Sequence, residues 1–226
     1  MTTVAEKIAN RAYWVVRIRP AEFINDRVPF KELEPIISRC AVTIRGWDVP
    51  HVDVHELIES HEDFIAQSFD WEHHVETWRF YQSGQFVMRK GMRLAWRSQS
   101  GWFKDSQIPD HDVVGISDTV GHFAEVFELA ARLAVTPAGG EEMVIEASAR
   151  NLADHHLYLD SPGRATLYGD YVTHIEDFGG PVRVHREYLV ANKDELALDA
   201  AEALLSRFSG FSPSRDVLRS LRDEFR

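Results

Sequence analysis

The sequence predicts an α+β fold, a mostly antiparallel sheet with helices packed on one face. Three observations carry this. Runs such as YWVVRIRP, 13–20, are rich in β-branched and aromatic residues, the composition of strands. Two segments, 117–134 and 194–208, repeat apolar residues at helical spacing and so present one apolar stripe each. Short turn signals, Ser83-Gly84 and the FGGP of Phe178 to Pro181, join strand-like runs.

Tyr13 to Pro20 is the first strand, ended by its proline. In FKELEPIISRC, Leu33, Ile36, Ile37 and Cys40 share a helical face. That puts Pro35 in the first turn, where its missing N–H costs least. Ala41 to Val49 reads as a second strand with Gly46 as a candidate bulge, so the chain opens β-α-β. The segment 55–71 fits a short helix or an ordered loop. A hairpin from Val75 to Arg93 follows, then a loop rich in Ser, Gly and Asp at 98–112. The helix 117–134 aligns Val120, Phe123, Phe127, Ala131 and Ala134, with Ser117 or Asp118 as its cap. Strands are expected over 141–152, around 165–175 and over 182–190. The helix 194–208 stops at Gly210, and Ser212-Pro213 starts a last short helix through Leu218 and Leu221. Residues 1–226 read as a single α+β domain, with an internal link near 136–140.

Composition narrows the function. The chain has 226 residues, 44% of them hydrophobic, enough to bury a substantial core. Its one cysteine, Cys40, allows no intrachain disulfide, which points to a reducing, cytoplasmic setting. Cys40 closes an apolar pattern and reads as core. No apolar run approaches the roughly 20 residues that span a bilayer, and the N-terminus lacks a signal-peptide core, so no membrane partner is expected. The formal charge of −11 argues against general binding to duplex DNA, while leaving room for a local basic site.

Such a site is visible in WRFYQSGQFVMRKGMR, Trp78 to Arg93. From Glu76 to Lys104 the net charge is +5, which leaves −16 for the rest of the chain. The same stretch holds Trp78, Phe80, Tyr81, Phe86, Trp96, Trp102 and Phe103. A two-residue turn at Ser83-Gly84 pairs Tyr81 with Phe86, Phe80 with Val87 and Trp78 with Arg89. That register puts aromatics and cations on both faces, with neither face cleanly apolar. Two readings follow. Either the aromatics are core and the cations pair with the surplus carboxylates, or the mixture holds bases and phosphates of a nucleotide or single strand. A protein interface is a third use of the same residues.

In HVDVH, His51, Asp53 and His55 alternate with valines and share a face if the segment is extended. Two imidazoles and a carboxylate are a candidate first shell for a divalent metal, which could activate water. His61, Glu62, Asp63, His73 and His74 lie nearby in sequence. Pro50 equally suits a loop there. No G-x-S-x-G, H-E-x-x-H or G-x-G-x-x-G motif occurs.

The runs RGWDVPH (Arg45 to His51), WEHHVETWRFYQSGQF (Trp71 to Phe86) and FAEVFELAARLA (Phe123 to Ala134) resemble a family of uncharacterised bacterial proteins. In some longer chains similar segments stand downstream of a Schlafen-type AlbA DNA-binding domain. The resemblance covers about two-thirds of the chain and implies an accessory or sensor module of a defence or regulatory system. It supplies no catalytic residue.

The first expectation is therefore a non-catalytic binding or interaction module. Trp78, Arg79, Tyr81, Arg89 and Lys90, supported by Arg45 and Trp47, would hold an anionic ligand (a nucleotide or single-stranded nucleic acid), a protein partner or a second copy. It needs no cofactor. The alternative is a metal-dependent hydrolase or nuclease built on His51, Asp53 and His55, with a divalent metal.

Overall fold

The computed structural model describes residues 2–53, 55–71, 74–96, 112–161, 164 and 167–225. The strands are β1 (Tyr13–Pro20), β2 (Val42–Thr43), β3 (Asp48–Val49), β4 (Glu59–Ser60), β5 (Phe64–Trp71), β6 (His74–Tyr81), β7 (Phe86–Gly91), β8 (Val113–Gly115), β9 (Glu142–Arg150), β10 (His156–Tyr158) and β11 (Pro181–His185). The helices are α1 (Val4–Ile8), α2 (Leu33–Cys40), α3 (Ile116–Ala134), α4 (Arg186–Leu205) and α5 (Arg215–Asp223).

Among the described residues, seven strands form one sheet in the order β11-β9-β1-β7-β6-β5-β4, every neighbouring pair antiparallel. The fold class is α+β, as the alternating strands and striped helices predict. The sheet's inner face carries Trp14, Val16 and Ile18 of β1, Ile65 and Phe69 of β5, Trp78 and Phe80 of β6, Phe86 and Met88 of β7, and Met143 and Ile145 of β9, all buried. Helices α2 to α5 stack on that side. The central one, α3, touches both the sheet and α4 and α5, so it is buried nearly all round; Phe123 and Phe127 are both core. The core cluster runs from Ala12 to Leu221, on both sides of the Thr136 to Gly140 turn. The short α1 lies on the other face, where Ile8 packs against Val75 and Trp96.

Several elements differ from the sequence expectation. Residues 41–49 are not a strand of the main sheet. They form the two-residue ribbon β2-β3, so the opening β-α-β unit is absent. The ambiguous segment 55–71 contains the long strand β5. Gln67 interrupts its apolar alternation, yet it is buried, because its side-chain amide bonds both the N–H and the C=O of Asp53. Residues 167–175 contribute only an isolated bridge, Val172 to His156. The expected strand 182–190 ends at His185, and α4 begins at Arg186, with non-helical backbone at Asn192 that breaks its apolar period. Of the expected loop 98–112, only Asp112 lies within the described residues.

The cap of α3 also comes from elsewhere. Neither Ser117 nor Asp118 caps the helix. Their N–H groups donate to the Asp160 carboxylate at 2.6 and 3.0 Å, from a segment more than forty positions away. Burial and the nearby Asp118 charge push the Asp160 pKa up to about 6, against the pull of those N–H donors. A carboxyl raised in the fold favours folding when protonated. The advantage is full below the unfolded pKa near 4 and is lost as pH rises through about 6. Two pKa units correspond to a stability loss on the order of 2–3 kcal/mol between pH 4 and pH 7. Asp160→Asn is expected to flatten that loss, seen as urea midpoints that differ less between the two pH values than those of the parent. Parallel midpoints in parent and variant would contradict the assignment.

Candidate functional site

The hairpin turn sets which side chains reach solvent. Tyr81 N–H donates to the Gln85 carbonyl at 2.9 Å, and Gly84 N–H to the Tyr81 carbonyl at 2.9 Å. Gly84 has φ +83°. This is a three-residue loop closed by a left-handed glycine, not the two-residue turn expected. A Cβ at Gly84 would also lie 2.3 Å from the Ala138 carbonyl oxygen, so the tip is pressed against the turn after α3.

The longer loop slips the register by one residue. Phe80 pairs with Phe86, Arg79 with Val87, Trp78 with Met88, Thr77 with Arg89 and Glu76 with Lys90. A slip of one moves a whole strand's side chains to the opposite face. The faces therefore separate cleanly, which corrects the mixed faces expected. Trp78, Phe80, Phe86, Met88 and Lys90 point to the helices, and Thr77, Arg79, Tyr81, Val87 and Arg89 point away. Trp78, 1% exposed, is core, and its indole donates to the His51 carbonyl at 2.7 Å.

The outward face extends across the sheet. Arg17 of β1 faces Val87, Ala66 of β5 faces Arg79, and Phe64 faces Tyr81. Arg19 lies two residues beyond Arg17 on the same face. Arg19, Arg79 and Arg89 are exposed and have no carboxylate within ion-pair reach among the described residues. Arg17 bonds Glu146 at 2.8 Å. Near the β4 end, the His61 ring stacks on Phe64 at 4.2 Å between centroids, Tyr81 lies 5.0 Å from Phe64, and the Arg79 guanidinium sits 5.1 Å over the Phe64 ring. The rim carries acids too: Glu59 lies 3.4 Å from His61, and Asp70 pairs with Lys7.

The inward polar residues make a separate, buried cluster. Glu76 is fully buried; its Oε1 accepts the His51 N–H at 2.9 Å, and its Oε2 lies 3.3 Å from His74 Nε2 and 3.9 Å from Lys90 Nζ. Glu76 thus ties the His51 backbone to the sheet and balances Lys90. Arg45 is spent similarly. It donates twice to Glu125, at 2.8 and 2.6 Å, and to Asp118 at 2.5 Å. Burial works against its charge, but Glu125 and Asp118 outweigh it and raise its pKa. His122 stacks on Trp14 at 4.2 Å, and neither ring nitrogen finds a hydrogen-bond partner among the described residues. Burial holds its pKa well below the ordinary value, with the Lys90 and Arg45 charges acting the same way, so it is neutral. Trp47, 41% exposed, packs on His51, Trp71 and His74 at the edge of this cluster.

The structure thus divides the expected ligand residues. Arg79, Tyr81 and Arg89 share the open face. Trp78, Lys90 and Arg45 are inside, and Trp47 lies on the helix side. Arg97, Trp102, Phe103 and Lys104 lie outside the described residues. The metal triplet is not assembled. His51 turns its ring among Trp47, Phe69, Trp71 and His74, His55 is exposed, and Asp53 accepts the His55 N–H at 2.8 Å. Among the described residues no group of three or more His, Cys, Asp or Glu is placed to hold a metal ion; Val54 and His73 lie outside them. No helix among them is long and apolar enough to cross a membrane.

Sequence reasoning missed Arg17, Arg19 and Phe64, and it took His61 only as a neighbour of the metal triplet. The signal for the first two was present: Arg17 and Arg19 flank Ile18 at strand spacing, which is the polar face of β1. No protein-family model matches the chain, no curated protein matches it, and no solved structure matches its fold.

Proposed function

We propose that this chain is a non-catalytic binding module whose open sheet face holds an anionic ligand. One observation carries the reading. In a chain of formal charge −11, Arg19, Arg79 and Arg89 share one exposed face without a carboxylate partner among the described residues. With 36 acidic side chains available to 25 basic ones, such cations are readily neutralised by pairing. Without a described partner on the sheet, they make a positive patch that attracts negative charge. The buried Glu76–Lys90 and Arg45 contacts support the same reading from the other side, because they account structurally for the inward charges of Glu76, Lys90, Arg45, Asp118 and Glu125. We place the module in the cytoplasm and carry the accessory role in a defence or regulatory system as part of the proposal.

Chromatography on immobilised heparin tests it. The protein is expected to be retained at about 0.01 M ionic strength, where charges reach about 30 Å, and released towards 1 M, where they reach about 3 Å. Flow-through at low salt would overturn the reading.

A further inference from the structure

We propose that the ligand of this face is an unpaired nucleic-acid strand, its bases stacked on the His61–Phe64–Tyr81 rings and its phosphates held by Arg79, Arg89 and the β1 arginines. This deepens the binding reading above and rests on it.

The face has two chemically distinct parts in fixed register. The first is a shelf of rings. His61 and Phe64 lie 4.2 Å apart and within 16° of parallel, and Tyr81 stands beside them on the neighbouring strand, 5.0 Å from Phe64 and tilted 41° to it. The second is a series of cations stepping away from the shelf. Arg79 on β6 is the diagonal neighbour of Phe64, and Arg89 on β7 is the diagonal neighbour of Arg79. Diagonal cross-strand neighbours are about 7–8 Å apart, within reach of long side chains. Arg17 on β1 is directly opposite Val87 and continues the series, with Arg19 beyond it. Arg17 is shared with Glu146, so Arg19, Arg79 and Arg89 carry the charge that no carboxylate among the described residues pairs.

Each alternative ligand leaves part of this arrangement unused. A simple polyphosphate would use the arginines and leave the rings idle. A single nucleotide would use the rings and too few of the cations, which span three strands. A duplex hides its base faces, and its grooves admit a helix or a two-stranded ribbon, not the face of a wide sheet. An unpaired strand offers ring faces and phosphates together, at intervals along a flexible chain. Stacking of bases on side-chain rings beside a cationic track is how such strands are held without regard to sequence. Arg79 belongs to both parts: its guanidinium lies over Phe64 and can meet a base face or a phosphate.

The experiment is fluorescence anisotropy at low salt. Four probes are compared: labelled oligouridylate and oligodeoxythymidylate of about ten nucleotides, within the span that single-strand sites occupy, a duplex of the same length, and inorganic polyphosphate as competitor. The single strands are expected to bind about 10-fold or more tightly than the duplex, and polyphosphate to compete weakly. Tyr81→Leu is expected to weaken single-strand binding about 10-fold while leaving polyphosphate competition unchanged. Phe64→Leu, on the neighbouring strand, repeats the test if Tyr81→Leu melts early. Polyphosphate or duplex binding as tight as the single strand, or ring variants that bind like the parent, would overturn this inference while leaving the anionic-ligand reading standing. Binding of none of the probes would overturn both.

Discussion

Arg45→Ala is expected to destabilise the protein by about 3–5 kcal/mol, the usual result of removing one partner from a buried ion pair. Arg45 satisfies two nearly buried carboxylates at once, Asp118 and Glu125, and also donates to the Asp118 carbonyl at 3.1 Å. Without it, two negative charges remain on the face of α3 turned from water. The Asp160 carboxyl at the start of the same helix adds a third, and Asp118 already acts on it. The loss would be a large share of a typical total stability of roughly 5–15 kcal/mol. Urea denaturation at neutral pH measures it. A loss below about 1 kcal/mol would mean that water or rearrangement reaches these carboxylates, as at exposed pairs. The origin of the cost is separable. Replacing Arg45, Asp118 and Glu125 together by apolar residues of similar volume is expected to recover much of the stability, because no charge is then left uncompensated.

The second large effect concerns binding. Arg79→Ala with Arg89→Ala is expected to lower stability by no more than about 1 kcal/mol, because both side chains are exposed and the contact of Arg79 over the Phe64 ring is an exposed cation–π pair. Retention on heparin should fall sharply. If the ligand is a single strand, the slope of log affinity against log salt should become shallower by about 1.4, since each lost phosphate contact removes about 0.7. Loss of folding in the double variant would make these arginines structural and end the binding account. Unchanged retention and slope would place the binding elsewhere.

How far the sequence foretold this molecule depended on the range of the interaction. The strands of YWVVRIRP and the hairpin and the apolar stripe of α3 follow from local periodicity, and they were legible, whereas α1 on the opposite face of the sheet was not foreseen. The face on which each hairpin residue lands was not. It depends on whether the loop is Ser83-Gly84 alone or Gln82 to Gly84, and one residue of register exchanges core for solvent along a whole strand. Lys90 was grouped with Arg79 and Tyr81 for that reason, whereas Trp78 alternates with Arg79 along β6 in either register and was read as a ligand residue because the sequence does not show which face the helices cover. Long-range satisfaction was equally hidden. Gln67 inside β5 reads as a break in the apolar pattern until the Asp53 backbone is placed against it, and Asp160 as a cap for α3 has no local signal. Arg45 stands beside Trp47 and Asp48 in sequence, yet its partners are 73 and 80 positions away, on a helix that the sequence alone does not lay over it.

The most direct test of the account is a map of arginine protection. The protein is treated with phenylglyoxal with and without saturating heparin oligosaccharide, and the modified arginines are identified by mass spectrometry. Arg79, Arg89 and Arg19 are expected to be protected together, while Arg39 and Arg207, exposed elsewhere on the chain, react equally in both conditions. Bound heparin that leaves Arg79 and Arg89 fully reactive, or that protects Arg39 and Arg207 instead, would contradict the assignment of the open sheet face.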